Sequence, residues 1–137
     1  MQPIANGYLA NDADFSKETF FELAMARDET TGLCTLTDIV DIEKVYDDTY
    51  VYHTSGSETM RNHFCDIAQR IKAKSSTDSV LEIGSNDGAF LKWFDTDVAD
   101  SVEPCGNFAR LTQDMGYKTL PNFWNMETAK ELNKKYD

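Results

Sequence analysis

The sequence predicts an α/β chain: an N-terminal β-hairpin and helix, then about three parallel strands with flanking helices, the first half of an open sheet. Three observations carry this. Residues 79–88, Ser-Val-Leu-Glu-Ile-Gly-Ser-Asn-Asp-Gly, contain a short apolar run in Val80, Leu81 and Ile83, β-branched enough for a buried parallel strand. Gly84 ends that run where a loop must turn sharply, and Gly88 opens an amphipathic segment, residues 89–94, predicted as a helix. Residues 98–104, Val-Ala-Asp-Ser-Val-Glu-Pro, then repeat the strand pattern and end on an acid, Glu103, about twenty residues beyond the loop.

Strand, glycine loop and helix form the arrangement in which backbone N–H groups at a helix N-terminus face a nucleotide-like ligand. Gly84 and Gly88 supply positions without a Cβ, where a ligand can approach the main chain. An acid at the spacing of Glu103 accepts hydrogen bonds from ribose hydroxyls in a Rossmann-like βαβ unit. Together these signals favour an adenosyl ligand.

Glu82-Ile-Gly-Ser-Asn-Asp-Gly88 followed by Val102-Glu-Pro104 resembles class I S-adenosylmethionine (SAM) dependent methyltransferases, in particular the sugar C-methyltransferase group. Pro3-Ile-Ala-Asn-Gly-Tyr-Leu9 is similar to that group's Pro-Leu-Ala-Asn-x-Tyr-Leu segment, and Tyr50-Val-Tyr-His-Thr-Ser-Gly-Ser57 with His63 to its Tyr-x-Tyr-x-Ser-Ser-x-Ser…His segment. The resemblance implies SAM as cofactor. It places Gly84, Ser85, Asn86 and Gly88 at the methionine end and Glu103 at the ribose. Glu82 fixes the loop or reaches the ammonium through water, and Asp87 is expected to cap the following helix. Tyr52 and Ser55 belong to a region that lies over the cofactor pocket in relatives, with aromatic packing and helix capping as their competing roles. Topology alone puts Asn122 and Phe123 near the adenine. A nicotinamide-dinucleotide domain is disfavoured, because Glu-x-Gly-x-Asn-x-Gly departs from Gly-x-Gly-x-x-Gly.

In chain order, residues 1–17 read as an arm. Residues 19–26 and 33–39 flank Asp28-Glu-Thr-Thr-Gly32 and predict a hairpin, packed through Phe20, Leu23, Met25 and Leu36. In relatives the hairpin tip carries Cys-x-x-Cys, half of a zinc site; here Asp28 and Thr31 stand at those positions and the other cysteine pair is absent, so no metal is expected. Residues 41–46 fit a short helix capped by Asp41. Ser57 starts a helix to about residue 74, with Met60, Phe64, Ile67 and Ile71 on one face. Residues 107–115 predict a second helix, Phe108 and Leu111 inward and Gly116 as its stop. Residues 117–120 predict a third strand and residues 126–135 a third helix. The organisation is then 1–49, a degenerate zinc-module-like arm and hairpin, and 50–137, a partial SAM-binding Rossmann-like domain.

A formal charge of −11 argues against a nucleic-acid partner, which needs a basic face. No apolar run reaches membrane-spanning length and no signal segment opens the chain, so a cytoplasmic location is expected. Cys34, Cys65 and Cys105 are widely spaced and read as small buried hydrophobes. The resemblance puts the fourth strand, the acceptor site and the base that deprotonates the sugar carbon beyond this chain. His53, His63, Tyr50 and Tyr52 are left in the general vicinity, with no catalytic role assigned. The first strand's open edge invites a second copy, and a homodimer is one expectation. Two functions follow: a SAM-binding C-methyltransferase acting on a small molecule, a nucleotide-sugar by resemblance, or a non-catalytic interaction protein that retains half of the fold.

Overall fold

A computed structural model of the chain describes residues 2–3, 15–16 and 18–137. The chain divides into two compact units, Met1–Val51 and Tyr52–Asp137. The segment around Ile4–Leu9 that carries part of the family resemblance lies outside the described residues, as does most of the predicted arm.

In the first unit, β1 (Gln2–Pro3) pairs antiparallel with β2 (Phe20–Phe21). β3 (Met25–Arg27) pairs antiparallel with β4 (Cys34–Leu36) in the register Met25 to Leu36. The turn between β3 and β4 is made by Asp28, whose Oδ1 accepts from Thr30 N (2.9 Å), Thr31 N (2.6 Å) and Thr31 Oγ1 (2.9 Å). These backbone donors hold its carboxyl below the ordinary value. Gly32 sits in the left-handed region at φ +75° and donates to Asp28 O. Packing does not hold this hairpin as expected: Phe20, Leu23, Met25 and Leu36 are 47–68% exposed. Asx-turn hydrogen bonds and a short ladder take that part. Cys34 is exposed rather than buried, because both faces of so short a ribbon meet solvent. Asp41 caps a 3₁₀ turn, Ile42–Lys44, by accepting from Glu43 N at 3.1 Å.

The second unit begins with another 3₁₀ turn, Thr54–Gly56, and then α1 (Glu58–Lys72), whose N-cap Ser57 accepts from Met60 N. Arg70 and Lys72 in its last turn complement the negative end of the helix dipole. The sheet is β5 (Val80–Ile83), β6 (Ala99–Val102) and β7 (Lys118–Leu120), parallel, in the order β5-β6-β7. All four residues of β6 are buried, which is why this central strand tolerates Asp100 and Ser101 only with partners. Asp100 receives Tyr136 Oη at 2.8 Å and Lys134 Nζ at 3.2 Å.

The crossover from β6 to β7 is α2 (Gly106–Asp114), followed by Gly116 at φ +96° as its stop. Phe108 is fully buried as expected, but Leu111 is exposed and Ala109 and Thr112 face inward instead. The crossover from β5 to β6 differs from expectation. Residues 89–94 form no α-helix, only turns and a 3₁₀ segment, Leu91–Trp93. Six residues before Asp95-Thr-Asp97 are too few to offset helix nucleation. Their aromatic groups are used in packing: Phe90 meets Phe64 at 5.4 Å and Phe94 at 5.3 Å. The core there is Ala68, Leu91, Phe94, Ala99 and Tyr117. α3 (Met126–Leu132) is capped by Asn125, which accepts from Glu127 N and Thr128 N. The last residues return to the start of β5, where Asp137 N donates to Ser79 O at 2.8 Å. No helix among the described residues is long and apolar enough to cross a membrane.

Candidate functional site

In an open parallel sheet, ligands bind beyond the carboxyl ends of the strands. Here that end carries the loop from Gly84 to Gly88 after β5 and Glu103 after β6. Gly84 and Gly88 lie at φ +76° and +73°, and Asn86 between them at φ +48°, a conformation Asn tolerates. A Cβ at Gly84 would meet nothing within 4 Å. One at Gly88 would lie 3.2 Å from Met115 Sδ and 3.3 Å from Thr112 Cγ2. The two glycines therefore differ: Gly84 leaves an open face, whereas Gly88 allows the loop to close on α2.

Glu103 is buried and uses both carboxylate oxygens on main-chain donors, Oε2 from Asn86 N at 2.7 Å and Oε1 from Cys105 N at 2.9 Å. It clamps the loop to the end of β6, and each oxygen keeps a second lone pair. Glu82 sits behind the loop with Oε2 enclosed and without a hydrogen-bond partner among the described residues. Burial, and then the nearby Glu103 carboxylate, push the Glu82 carboxyl up to about 8; a hydrogen bond from Leu91 N works the other way. Glu82, Asp87 and Glu103 thus surround one short loop.

The loop's remaining side chains turn to the protein. The Asn86 Oδ1 accepts from Thr54 N at 3.0 Å, and its Nδ2 donates to Tyr52 O at 2.9 Å. Asp87 accepts from Ser55 N, at 3.0 Å for Oδ2, and its Oδ2 lies 3.5 Å from His53 Nδ1. Asp87 was expected to cap a following helix; without that helix it holds residues 53–55 instead. Tyr52 and Ser55 do come to the loop, but through their backbones, and the Tyr52 ring is exposed. Arg61 of α1 donates from Nη1 to Ser55 O, tying the same segment from the other side.

Ser85 is 2% exposed and does not present its hydroxyl to a ligand. Its Oγ donates to Ser101 Oγ (3.3 Å), Ser101 contacts Thr119 Oγ1 (2.7 Å), and Thr119 contacts Thr112 Oγ1 (2.8 Å). Because Thr112 donates to Ala109 O at 3.0 Å, its single proton is used, and Thr119 must donate to it. The chain of hydroxyls then runs one way, from Ser85 to α2. Having no Cβ, Gly84 lets the backbone reverse, so the next side chain meets β6 and not the ligand face.

Of the residues expected to bind cofactor, Glu82, Gly84, Asn86 and Glu103 are thus gathered at the ligand end of the sheet, Tyr52 and Ser55 join through main-chain groups, and Ser85 and Gly88 serve packing. Asn122 and Phe123 follow β7, where Asn122 N and Phe123 O are engaged with Leu120 O and Thr128 Oγ1. The pairing of His53 with Asp87 was not foreseen. No local pattern links two residues so far apart in the chain; the only hint was an aromatic segment ending in His53 just before a break. Among the described residues no group of three His, Cys, Asp or Glu side chains could hold a metal ion.

No protein-family model matches the chain. Over 135 residues it is 27% identical to the C-methyltransferase NovU of Streptomyces niveus, an alignment covering 95% of this chain and 32% of that protein. The chain therefore spans about a third of the length of the curated relative it matches. With a parallel strand, a glycine turn and a buried acid at the next strand's end, the chain is a distant relative of a methyltransferase.

Proposed function

We propose that this chain is the cofactor-binding part of a SAM-dependent C-methyltransferase. The observation that carries the reading is the open left-handed Gly84 beside the Glu103 clamp, at the carboxyl ends of β5 and β6. A space that any Cβ would enter, next to a carboxylate with free lone pairs, suits a nucleoside with an amino-acid end.

Gly84 would admit the methionine end of SAM close to the main chain. Glu103 would accept from the ribose hydroxyls with the lone pairs that Asn86 N and Cys105 N leave free, and Glu82 would fix the loop from behind or reach the ammonium through water. Bound SAM supplies a methyl group on a positively charged sulfur. Transfer of that kind is governed mainly by positioning, and the protein groups described here contribute orientation. The acceptor is a small molecule, a nucleotide-sugar on the family resemblance, and a second copy pairing along the open edge of β5, where Ile83 is exposed, is the proposed assembly.

A second reading is favoured by one observation: Asn86, Asp87 and Ser85 spend their polar atoms within the protein. A non-catalytic protein that keeps the loop as scaffold would show the same bonds. Calorimetric titration of the 137-residue chain with SAM and its demethylated product separates the two. Micromolar binding supports the cofactor reading. No binding, from a chain that circular dichroism shows to be folded, gives the lead to the scaffold reading.

A further inference from the structure

Residues 38–48 hold apolar and acidic side chains side by side, and the apolar ones find little cover. Ile39 is 94% exposed, the most exposed large hydrophobic side chain among the described residues, and Ile42 and Tyr46 are exposed as well. Tyr46 N donates to Ile42 O at 2.9 Å, so these two, four positions apart, stand on one side of a helical turn. Around them are Asp38, Asp41, Glu43, Asp47 and Asp48, against one lysine, Lys44. Single exposed apolar side chains are ordinary on a protein surface, whereas an apolar cluster rimmed by charge marks a docking surface.

A surface of matching chemistry lies at the end of α1. Ile67 and Ile71, one helical turn apart, line a groove of about 380 Å³ together with Arg70, Lys74 and Ser75. The acid beside Arg70 is Asp66, with Nη1 to Oδ2 at 3.7 Å and both side chains largely exposed, a pair that holds the guanidinium only loosely. Charge is distributed in the same sense along the whole chain. Residues 1–51 hold eleven acids and three bases, whereas ten of the thirteen Lys and Arg residues lie in 52–137. We propose that residues 38–48 of one copy of the chain seat in this groove of a second copy, Ile39 and Ile42 against Ile67 and Ile71, and the flanking carboxylates against Arg70 and Lys74. Each copy carries both halves, so a two-fold pair makes the contact twice. One such contact is small for a stable interface, and its repeat supplies the avidity. The contact uses no residue of β5 and none of the loop from Gly84 to Gly88, so it stands apart from the cofactor reading.

The test is sedimentation velocity of the full chain, from micromolar to millimolar concentration and without SAM. Wild type is expected to form dimers that weaken as salt is added. Two charge-swapped chains are compared with it, Asp38→Lys with Glu43→Lys and Arg70→Glu with Lys74→Glu, each checked for folding by circular dichroism. Alone, each sets like charges together and is expected to self-associate at least about ten-fold more weakly; mixed in equal amounts, they restore opposite charges at both contacts and are expected to pair as wild type does. Ile39→Ser, at a position that folding leaves 94% exposed, is expected to weaken the dimer likewise. A wild-type chain that stays monomeric at every concentration overturns the contact, as does an association that both double variants keep. Dimers lost in Ile83→Lys but kept in the other variants assign the second copy to the β5 edge and equally overturn it. SAM titration of the wild-type samples keeps the two proposals apart: no binding removes the cofactor reading and leaves a charge-swapped rescue intact as support for the contact.

Discussion

The two glycines of the loop are expected to respond in opposite ways to one methyl group. Gly84→Ala forces a Cβ onto a residue at φ +76°, at roughly 1–2 kcal/mol of backbone strain. It meets no other atom within 4 Å, so strain is the whole cost to folding. Gly88→Ala carries similar strain at φ +73°, and its Cβ also presses on Met115 Sδ at 3.2 Å and Thr112 Cγ2 at 3.3 Å. Thr112 cannot yield readily, since its hydroxyl is tied to Ala109 O and Thr119. Overpacking of that kind adds about 1–3 kcal/mol, bringing the expected loss to about 2–5 kcal/mol. Against a total stability of order 5–15 kcal/mol, Gly88→Ala should shift the urea midpoint clearly, and Gly84→Ala by about half as much or less. Binding should invert the order. Gly84→Ala fills the open face and is expected to abolish SAM binding, while the folded fraction of Gly88→Ala binds as wild type does. Wild-type affinity in Gly84→Ala would show that no ligand uses that face, and the reasoning from the glycine turn would fail.

Glu103→Ala should destabilise the chain more than Glu103→Gln in urea denaturation, because alanine leaves the N–H groups of Asn86 and Cys105 bare at about 1–3 kcal/mol each, whereas glutamine keeps an acceptor oxygen. Loss of SAM affinity in Glu103→Gln, which preserves the loop better, is therefore the sharper sign of a ribose contact. Thr119→Val keeps the shape of the side chain but strands Ser101 and Thr112, and about 1–3 kcal/mol should be lost in the same assay, with Ser85→Ala, at the end of the chain of hydroxyls, costing less. Glu82 makes stability depend on pH: with its folded value raised from 4.5 to about 8, the folded state keeps a proton that the unfolded chain has released. Stability should then fall as pH rises between those values, by at most about 1.4 kcal/mol per pH unit for one proton, and level off above. Urea midpoints measured from pH 5 to 9 should show this slope, and Glu82→Gln should flatten it.

Much of the frame was legible because it depends on short-range regularities. The apolar runs at Val80 and Ala99 become adjacent parallel strands, and Ser57 caps the helix that the Phe64, Ile67 and Ile71 spacing indicates. What could not be read depends on geometry between distant segments. The helix expected over residues 89–94 is absent because Phe90 and Phe94 gain more from ring packing and core burial than six residues gain from helical bonds. Burial likewise separates Phe108 from Leu111, which share an apolar spacing but not a face covered by the sheet.

The site shows the same division more sharply. A glycine-flanked loop in sequence says that the chain turns, not where its side chains go. Once Gly84 and Asn86 adopt left-handed conformations, Ser85 is turned into the sheet and Asn86 and Asp87 reach back to residues 52–55, over thirty positions earlier. The residues that resemble a cofactor motif are then divided between two jobs. Gly84 keeps open space and Glu103 spare lone pairs, the features the proposed ligand would use, Glu82 lies enclosed behind the loop, and Ser85, Asn86 and Gly88 fix that loop. Asp87 joins the second group, since both of its carboxylate oxygens accept from Ser55 N and hold residues 53–55 against the loop.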